Sequence, residues 1–155
     1  MEPFKYKKSR RPKPEGTDMR TPILAEEEEY TGVIDGFPAT QGEENVYKAA
    51  YKTGMVRGHV FRMAVGAPRN RPGWKELDFL FQTKYGNYVA IQIRDYDFIH
   101  KGATEETKDV YNDMYILQKL SEDGIALRDG KIHTIDDNDA ITVEVAEKAL
   151  EKILL

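Results

Sequence analysis

Asp78, Gln92 and Arg94 are the residues whose types and spacing first suggest chemistry. They lie in two short β-rich runs, residues 76–82 (ELDFLFQ) and 88–94 (YVAIQIR), separated by Thr83-Lys84-Tyr85-Gly86-Asn87. Such runs around a Gly/Asn-containing loop predict a hairpin. With its turn centred on Tyr85, Asp78 stands opposite Gln92 and Glu76 opposite Arg94, and opposed residues share a face. Leu77, Phe79 and Phe81 then meet Val89, Ile91 and Ile93 on an apolar core face. The other face carries Asp78, Gln92 and Arg94 among Leu80 and Ala90. A carboxylate, an amide and a guanidinium on one strand face need partners or a task. Either Glu76 and Arg94 form a cross-strand ion pair beside an Asp78–Gln92 hydrogen bond, or the face is a site.

Immediately upstream, Arg69, Arg71 and Lys75 surround Trp74. Cations next to a stacking ring are the ingredients of a nucleic-acid surface, and equally of a tryptophan at the core's edge beside solvated charge. A second basic cluster opens the chain. Residues 1–20 hold seven basic side chains (Lys5, Lys7, Lys8, Arg10, Arg11, Lys13, Arg20) against Glu2, Glu15 and Asp18, a net +4 in a chain whose total is −4. The remainder therefore carries −8. Pro3, Pro12 and Pro14 keep this arm extended, and a basic arm on an acidic body suits contact with nucleic acid or an acidic partner surface. Zinc is not expected: His59, His100 and His133 are isolated and there is no cysteine. Phosphate-cradling Gly-rich loops and nucleophile elbows are lacking.

These groups must be positioned by the rest of a 155-residue chain, the size of one domain. All seven prolines lie at or before Pro72, which predicts an irregular leader and regular structure after it. We divide the chain into an arm and linker, 1–42, and a folded domain, 43–155. Glu26 to Glu29 read as solvated surface and 31–42, with three glycines and a proline, as loop. A helix is expected over 43–53, with Gly54 at its left-handed end, and a strand over 59–65. After the hairpin a second helix starts near Thr104 as N-cap, buries Val110, Met114, Leu117 and Leu120, and ends at Gly124-Ile125 in a Schellman turn. A strand over 131–135, with another over 125–127, precedes a last helix capped by Thr142 and burying Val143, Ala146, Leu150, Ile153 and Leu154. The order αβββαβα predicts an α/β (α+β) domain, three layers around a mixed sheet.

Asp78-Phe79-Leu80, Val89-Ala90-Ile91-Gln92-Ile93-Arg94 and Phe98-Ile99-His100, taken in order, resemble the metal-dependent PD-(D/E)XK nuclease superfamily. Within it the chain is most similar to the branch of very-short-patch-repair endonucleases and small phage-encoded relatives. The resemblance runs from about residue 44 to 154, with Glu44 matching the helix glutamate, Gly73 a glycine, His100 the following histidine and Asp109 the acid that opens the long helix. It implies a restriction-endonuclease-like core in which carboxylates on adjacent strands hold Mg²⁺ through hard oxygen ligands and a lysine assists a metal-activated water. Asp78 fills the first position. Gln92 stands where Glu or Asp is expected and Arg94 where Lys is expected. Gln removes a negative charge, and a permanently protonated Arg cannot act as a base. Glu44 would have to supply the missing carboxylate, leaving Asp78, Glu44 and Gln92 as the metal set and His100 as a general acid or a strand-end cap.

Three functions follow from this. The leading one, implied by the resemblance, is a nuclease-fold protein with a degenerate metal site, acting as a binding or structural component of a nucleoprotein or phage particle at its head or neck. It would meet other chains of the assembly through the arm, and DNA. The second is an active Mg²⁺-dependent DNA endonuclease. The third is an α/β interaction domain whose polar face is a salt-bridge network. The polar first residues lack a signal peptide's apolar core, and no apolar run nears the ~20 residues of a membrane span. A cytoplasmic or particle-bound protein without membrane contact is therefore expected.

Overall fold

The structure, a computed structural model, describes residues 19–21, 29–94 and 103–155, and of 103–107 the backbone alone. Two strands, β1 (Val33–Ile34) and β2 (Phe37–Pro38), precede helix α1 (Gln41–Lys52). Strands β3 (Val56–Val65), β4 (Lys75–Thr83) and β5 (Tyr88–Arg94) follow, then helix α2 (Ala103–Glu122), strand β6 (Leu127–Asp136), a short 3-10 turn over Asp137–Ala140 and helix α3 (Val143–Leu154). β3 to β6 form one four-stranded sheet in chain order. β3–β4 and β4–β5 are antiparallel, while β5–β6 is parallel. A parallel neighbour needs a crossover connection, and α2 occupies it.

Two apolar cores lie on the two faces of this sheet. On one, α1 (Val46, Ala49, Ala50) and α3 (Ala146, Leu150, Leu154) cover Phe61, Phe79, Phe81, Val89 and Ile91. On the other, Ile116 and Leu120 of α2 cover Val60, Met63, Val65, Leu77, Leu80 and Ala90. The chain is thus a mixed α/β domain with a four-stranded mixed sheet between helices.

Local chemistry accounts for the ends of the elements. Thr40 closes a capping box with Glu43 at the start of α1, satisfying two orphan donors. Thr142 caps α3 by accepting from Val145 N. Gly124 (φ +84°) ends α2 in the expected Schellman turn, Ile125 N donating to Leu120 O at 2.9 Å and Gly124 N to Ser121 O at 3.0 Å.

Four sequence expectations need correction. The loop expected over 31–42 contains the β1–β2 hairpin, turned by Asp35 (φ +52°) and Gly36 (φ +86°); two successive left-handed residues are what a tight hairpin of this type requires. β6 is one strand rather than two. α2 begins at Ala103, so Thr104 lies inside it. Its buried stripe is Ile116 and Leu120, leaving Val110 and Met114 exposed and Leu117 half-buried. The helix is rotated because Arg94 draws Asp109 and Asp113 toward the sheet, turning Val110 and Met114 outward.

Leu77 also departs from its expected face. It packs in the α2-side core, whereas Phe79 packs in the α1–α3 core. The register Phe61↔Phe79, Met63↔Leu77 passes through Arg62, whose φ of +54° is a left-handed conformation in mid-strand. That costs a non-glycine residue roughly 1–2 kcal/mol and flips the alternation of both strands at this point. The Arg62 side chain is held by Glu76, Nε to Oε2 at 3.1 Å, and its carbonyl accepts from Arg69 Nη2.

Candidate functional site

The register between β4 and β5 follows the expected turn centre: Phe79↔Ile91, Leu80↔Ala90, Phe81↔Val89 and Gln82↔Tyr88. Beyond Phe79 and Ile91 the backbone ladder stops and side chains replace it. Gln92, buried at 6% exposure, accepts from Asp78 N through Oε1 at 2.8 Å and donates from Nε2 to Glu76 O at 3.2 Å. In return, Asp78 Oδ2 accepts from Ile93 N at 2.8 Å. Each side chain binds the other strand's backbone, and no hydrogen bond joins the two side chains. The amide suits this task, since its two ends offer one acceptor and one donor to a strand that presents one N–H and one C=O.

The expected Glu76–Arg94 pair does not form. Glu76 Oε2 receives Arg62 Nε and, at 2.7 Å, Arg69 Nη1. Arg94 turns to α2, where its guanidinium grips Asp113 bidentately at 2.9 and 2.6 Å, approaches Asp109 at 3.7 Å and reaches Thr134 Oγ1 at 3.2 Å. Planar fork-to-carboxylate geometry is the strong form of this interaction.

Glu44 sits at 3% exposure and is committed elsewhere. Its carboxylate accepts from Thr31 N, Thr31 Oγ1 and Gly32 N at 2.9–3.1 Å and pairs with Lys48 Nζ at 3.1 Å. Burial pushes its pKa up, yet the hydrogen bonds from Thr31, Gly32 and Lys48 outweigh burial and hold it below the ordinary value. Lys48 also donates to Glu29 O. Glu44 therefore anchors the strand-like lead-in 29–34 to α1. The acids whose charges act on Asp78 are Glu43 and Glu76.

Asp78 itself is pushed up to about 7. Burial is the main cause. The hydrogen bond from Ile93 N opposes it, the charges of Glu43 and Glu76 add to it, and Arg94 reduces it slightly. Such a carboxyl holds a proton over part of the neutral pH range. Among the described residues no three His, Asp or Glu side chains converge as a metal-binding group.

The basic–aromatic cluster separates into two parts. The Arg69 guanidinium lies over the Phe37 and Trp74 rings, 4.9 and 5.2 Å from their centroids, while bound to Glu76. It belongs to the structural network around Arg62. Arg71 and Lys75 are exposed, and Trp74 is half-buried. His100 and the arm residues Lys5, Lys7, Lys8, Arg10, Arg11 and Lys13 lie outside the described residues.

One constellation was not anticipated. His59 is fully buried, with Nδ1 2.6 Å from Tyr51 Oη and Nε2 2.7 Å from Asp35 Oδ2, and Tyr47 and Tyr51 pack edge-on against its ring. A neutral imidazole with its proton on Nε2 satisfies both partners. Burial lowers the His59 pKa despite the opposing hydrogen bond and charge of Asp35, and burial raises that of Tyr51. Its backbone exchanges hydrogen bonds with Arg20, at 2.9 and 3.2 Å, so residue 20 extends the sheet at the β3 edge. In sequence only the alternation His59, Phe61, Met63 hinted that this histidine faces inward.

Among the described residues no helix is long and apolar enough to cross a membrane. Comparison of the chain with protein-family models, with curated proteins and with solved structures finds no match in any of the three.

Proposed function

We propose that this chain is a nuclease-like α/β domain without a working metal centre, used as a binding and structural component of a nucleoprotein assembly such as a phage particle. The observation that carries the proposal is the engagement of Gln92: both ends of its amide are tied to the backbone of β4. The position at which PD-(D/E)XK nucleases place a metal-binding carboxylate serves here to hold two strands together. Arg94, at the lysine position, is gripped by Asp113, and Glu44 by Thr31, Gly32 and Lys48. Among the described residues, Gln92, Arg94 and Glu44 are thus each engaged in holding the fold together.

Kinship with that superfamily is supported by the arrangement of elements: a helix, three antiparallel strands, a crossover helix, and a fourth strand parallel to the third. Asp78 and Gln92 lie on the second and third of these strands, each side chain hydrogen-bonded to the other strand's backbone. With chemistry unsupported at this place, the chain's remaining assets are cationic: the arm, Arg71 and Lys75.

The test is retardation of linear double-stranded DNA by the full chain over a salt series. Each neutralised phosphate contributes about −0.9 to the slope of log K against log salt. Replacing Lys5, Lys7, Lys8, Arg10, Arg11 and Lys13 by serine in the full chain is expected to weaken binding and to flatten the slope by about 0.9 for each phosphate that the arm had neutralised. Binding with an unchanged slope would remove the arm from the function, and absence of binding by the unaltered chain would overturn the nucleic-acid part of the proposal.

A further inference from the structure

The turn between β4 and β5 presents an aromatic ring beside two cations. Tyr85 is 73% exposed, and Lys84 and Arg57 are exposed as well. Lys84 Nζ lies 5.3 Å from the centroid of the Tyr85 ring. Arg57, at the start of β3, reaches across to the turn: its Nη2 lies 3.4 Å from where a β-carbon on residue 86 would stand. Gly86, at φ +95°, closes the turn and leaves that space open.

The tip is firmly held. Gly86 N donates to Thr83 O at 2.9 Å and Thr83 N to Asn87 O at 2.8 Å, the pattern of a three-residue hairpin loop ending in a left-handed glycine. Tyr85 N donates to Thr83 Oγ1 at 3.2 Å. Lys84 N donates to Met55 O at 2.7 Å and ties the turn to the segment that leads into β3. The backbone that carries Tyr85 is therefore fixed, and a ligand that meets the ring has little of it to order.

A lone exposed ring would need no explanation, but this one stands beside unbalanced charge. Arg62, Arg69, Arg94 and Arg128 each hold a carboxylate, whereas among the described residues Arg57 and Lys84 hold none. A π-face for a base and cations for its backbone phosphates are what a single strand requires. A duplex suits the turn less well, because its bases already stack on one another and offer no free face to a protruding ring.

We propose that the β4–β5 turn is a binding site for single-stranded nucleic acid, Tyr85 stacking on an unpaired base while Arg57 and Lys84 neutralise the phosphates beside it. The turn lies at the end of the sheet away from Asp78, Gln92 and Arg94. For its class of ligand the site rests on the nucleic-acid part of the proposed function; its position depends on neither the arm nor the nuclease motif.

The test is binding of a fluorescein-labelled oligo(dT) of about twelve nucleotides, followed by anisotropy. The full chain is used with Lys5, Lys7, Lys8, Arg10, Arg11 and Lys13 replaced by serine, so that the arm's charge does not mask the turn. In this background Tyr85→Ala is expected to weaken binding roughly 5- to 150-fold, the worth of one stacked base. Tyr85→Phe, which keeps the π-face, should bind as the parent does. Arg57→Ser/Lys84→Ser should flatten the slope of log K against log salt by about 1.4, at ~0.7 for each phosphate of a single strand. An abasic oligomer of the same length, with the charges and no bases, should bind equally to the chains with and without Tyr85. Unchanged oligo(dT) affinity in Tyr85→Ala, an equal loss in Tyr85→Phe, or no binding by the parent would overturn the proposal. Self-association in sedimentation that Tyr85→Ala abolishes, without oligo(dT) binding, would overturn it by assigning the ring to a second copy. Tyr85-dependent oligo(dT) binding in a chain that fails to retard duplex DNA would uphold this site and remove the arm.

Discussion

Gln92 and Asp78 each hold the strand to which the other belongs. Gln92 bridges Asp78 N and Glu76 O, and Asp78 Oδ2 receives Ile93 N. Exchange of Gln92 for Glu would remove the donor to Glu76 O and add charge beside Asp78. Gln92→Glu is therefore expected to destabilise the domain by about 2–3 kcal/mol, the scale of an unmade buried hydrogen bond to a backbone carbonyl. The loss should be greater above pH 7, where Asp78 is ionised, than below it. Chemical denaturation at two pH values measures this, and a neutral effect at both would show that the amide is not structural.

Asp78 also predicts a pH dependence. Its pKa rises from 3.8 to about 7 on folding. Below about pH 4 the group is protonated in both states. Between about 4 and about 7 the unfolded chain releases a proton that the folded chain retains, so stability falls as pH rises through this window and the full cost persists above it. Asp78→Asn retains an acceptor for Ile93 N and carries no charge. Its advantage over the unaltered protein should grow from pH 4 to pH 7 and then level off.

His59 has the opposite sign. Its pKa is lowered from 6.5, so stability is complete above about pH 6.5 and declines as pH falls below it, because only the unfolded imidazole gains a proton. The groups that face it are Asp35, Tyr51 and Tyr47, with Arg20 alongside. As its slope opposes that of Asp78, the measurement belongs in an Asp78→Asn background. There, loss of stability toward acid is expected, and His59→Gln should flatten the slope at a cost of about 1–3 kcal/mol in buried hydrogen bonding. A slope unaltered by His59→Gln would place the titrating group elsewhere.

Glu44 separates anchoring from metal binding. With Lys48 only 6% exposed, Glu44→Ala leaves a buried cation short of its partner and Thr31 N and Gly32 N unsatisfied. A loss of about 3 kcal/mol is expected, together with increased protease sensitivity near residues 29–34. If Glu44 were a ligand, the main effect of the substitution would instead be weakened Mn²⁺ binding in a calorimetric titration.

Much of this framework was legible in the sequence because short-range rules govern it. Thr142, Gly54 and Gly124 mark helix ends, and the β4–β5 register is centred on Tyr85 as expected. The candidate site was less legible, because side-chain partners follow tertiary geometry rather than register. The left-handed Arg62 turns Leu77 to the α2 side, and Glu76 finds Arg62 and Arg69 on the neighbouring strand and loop. Arg94 is thus left to Asp109 and Asp113, and their pull rotates α2 away from the face that its apolar periodicity favours. The His59 cluster joins residues 35, 51 and 59 through a two-residue hairpin whose strands are too short to produce a periodic signal.

The proposal that Glu44, Asp78, Gln92 and Arg94 hold the fold and support no metal chemistry is tested most directly by incubating the full chain with supercoiled plasmid and Mg²⁺ or Mn²⁺, alongside Asp78→Ala. The expected result is intact supercoiled DNA with either protein. Metal-dependent nicking by the unaltered chain that disappears in Asp78→Ala would contradict the account and make this domain an endonuclease.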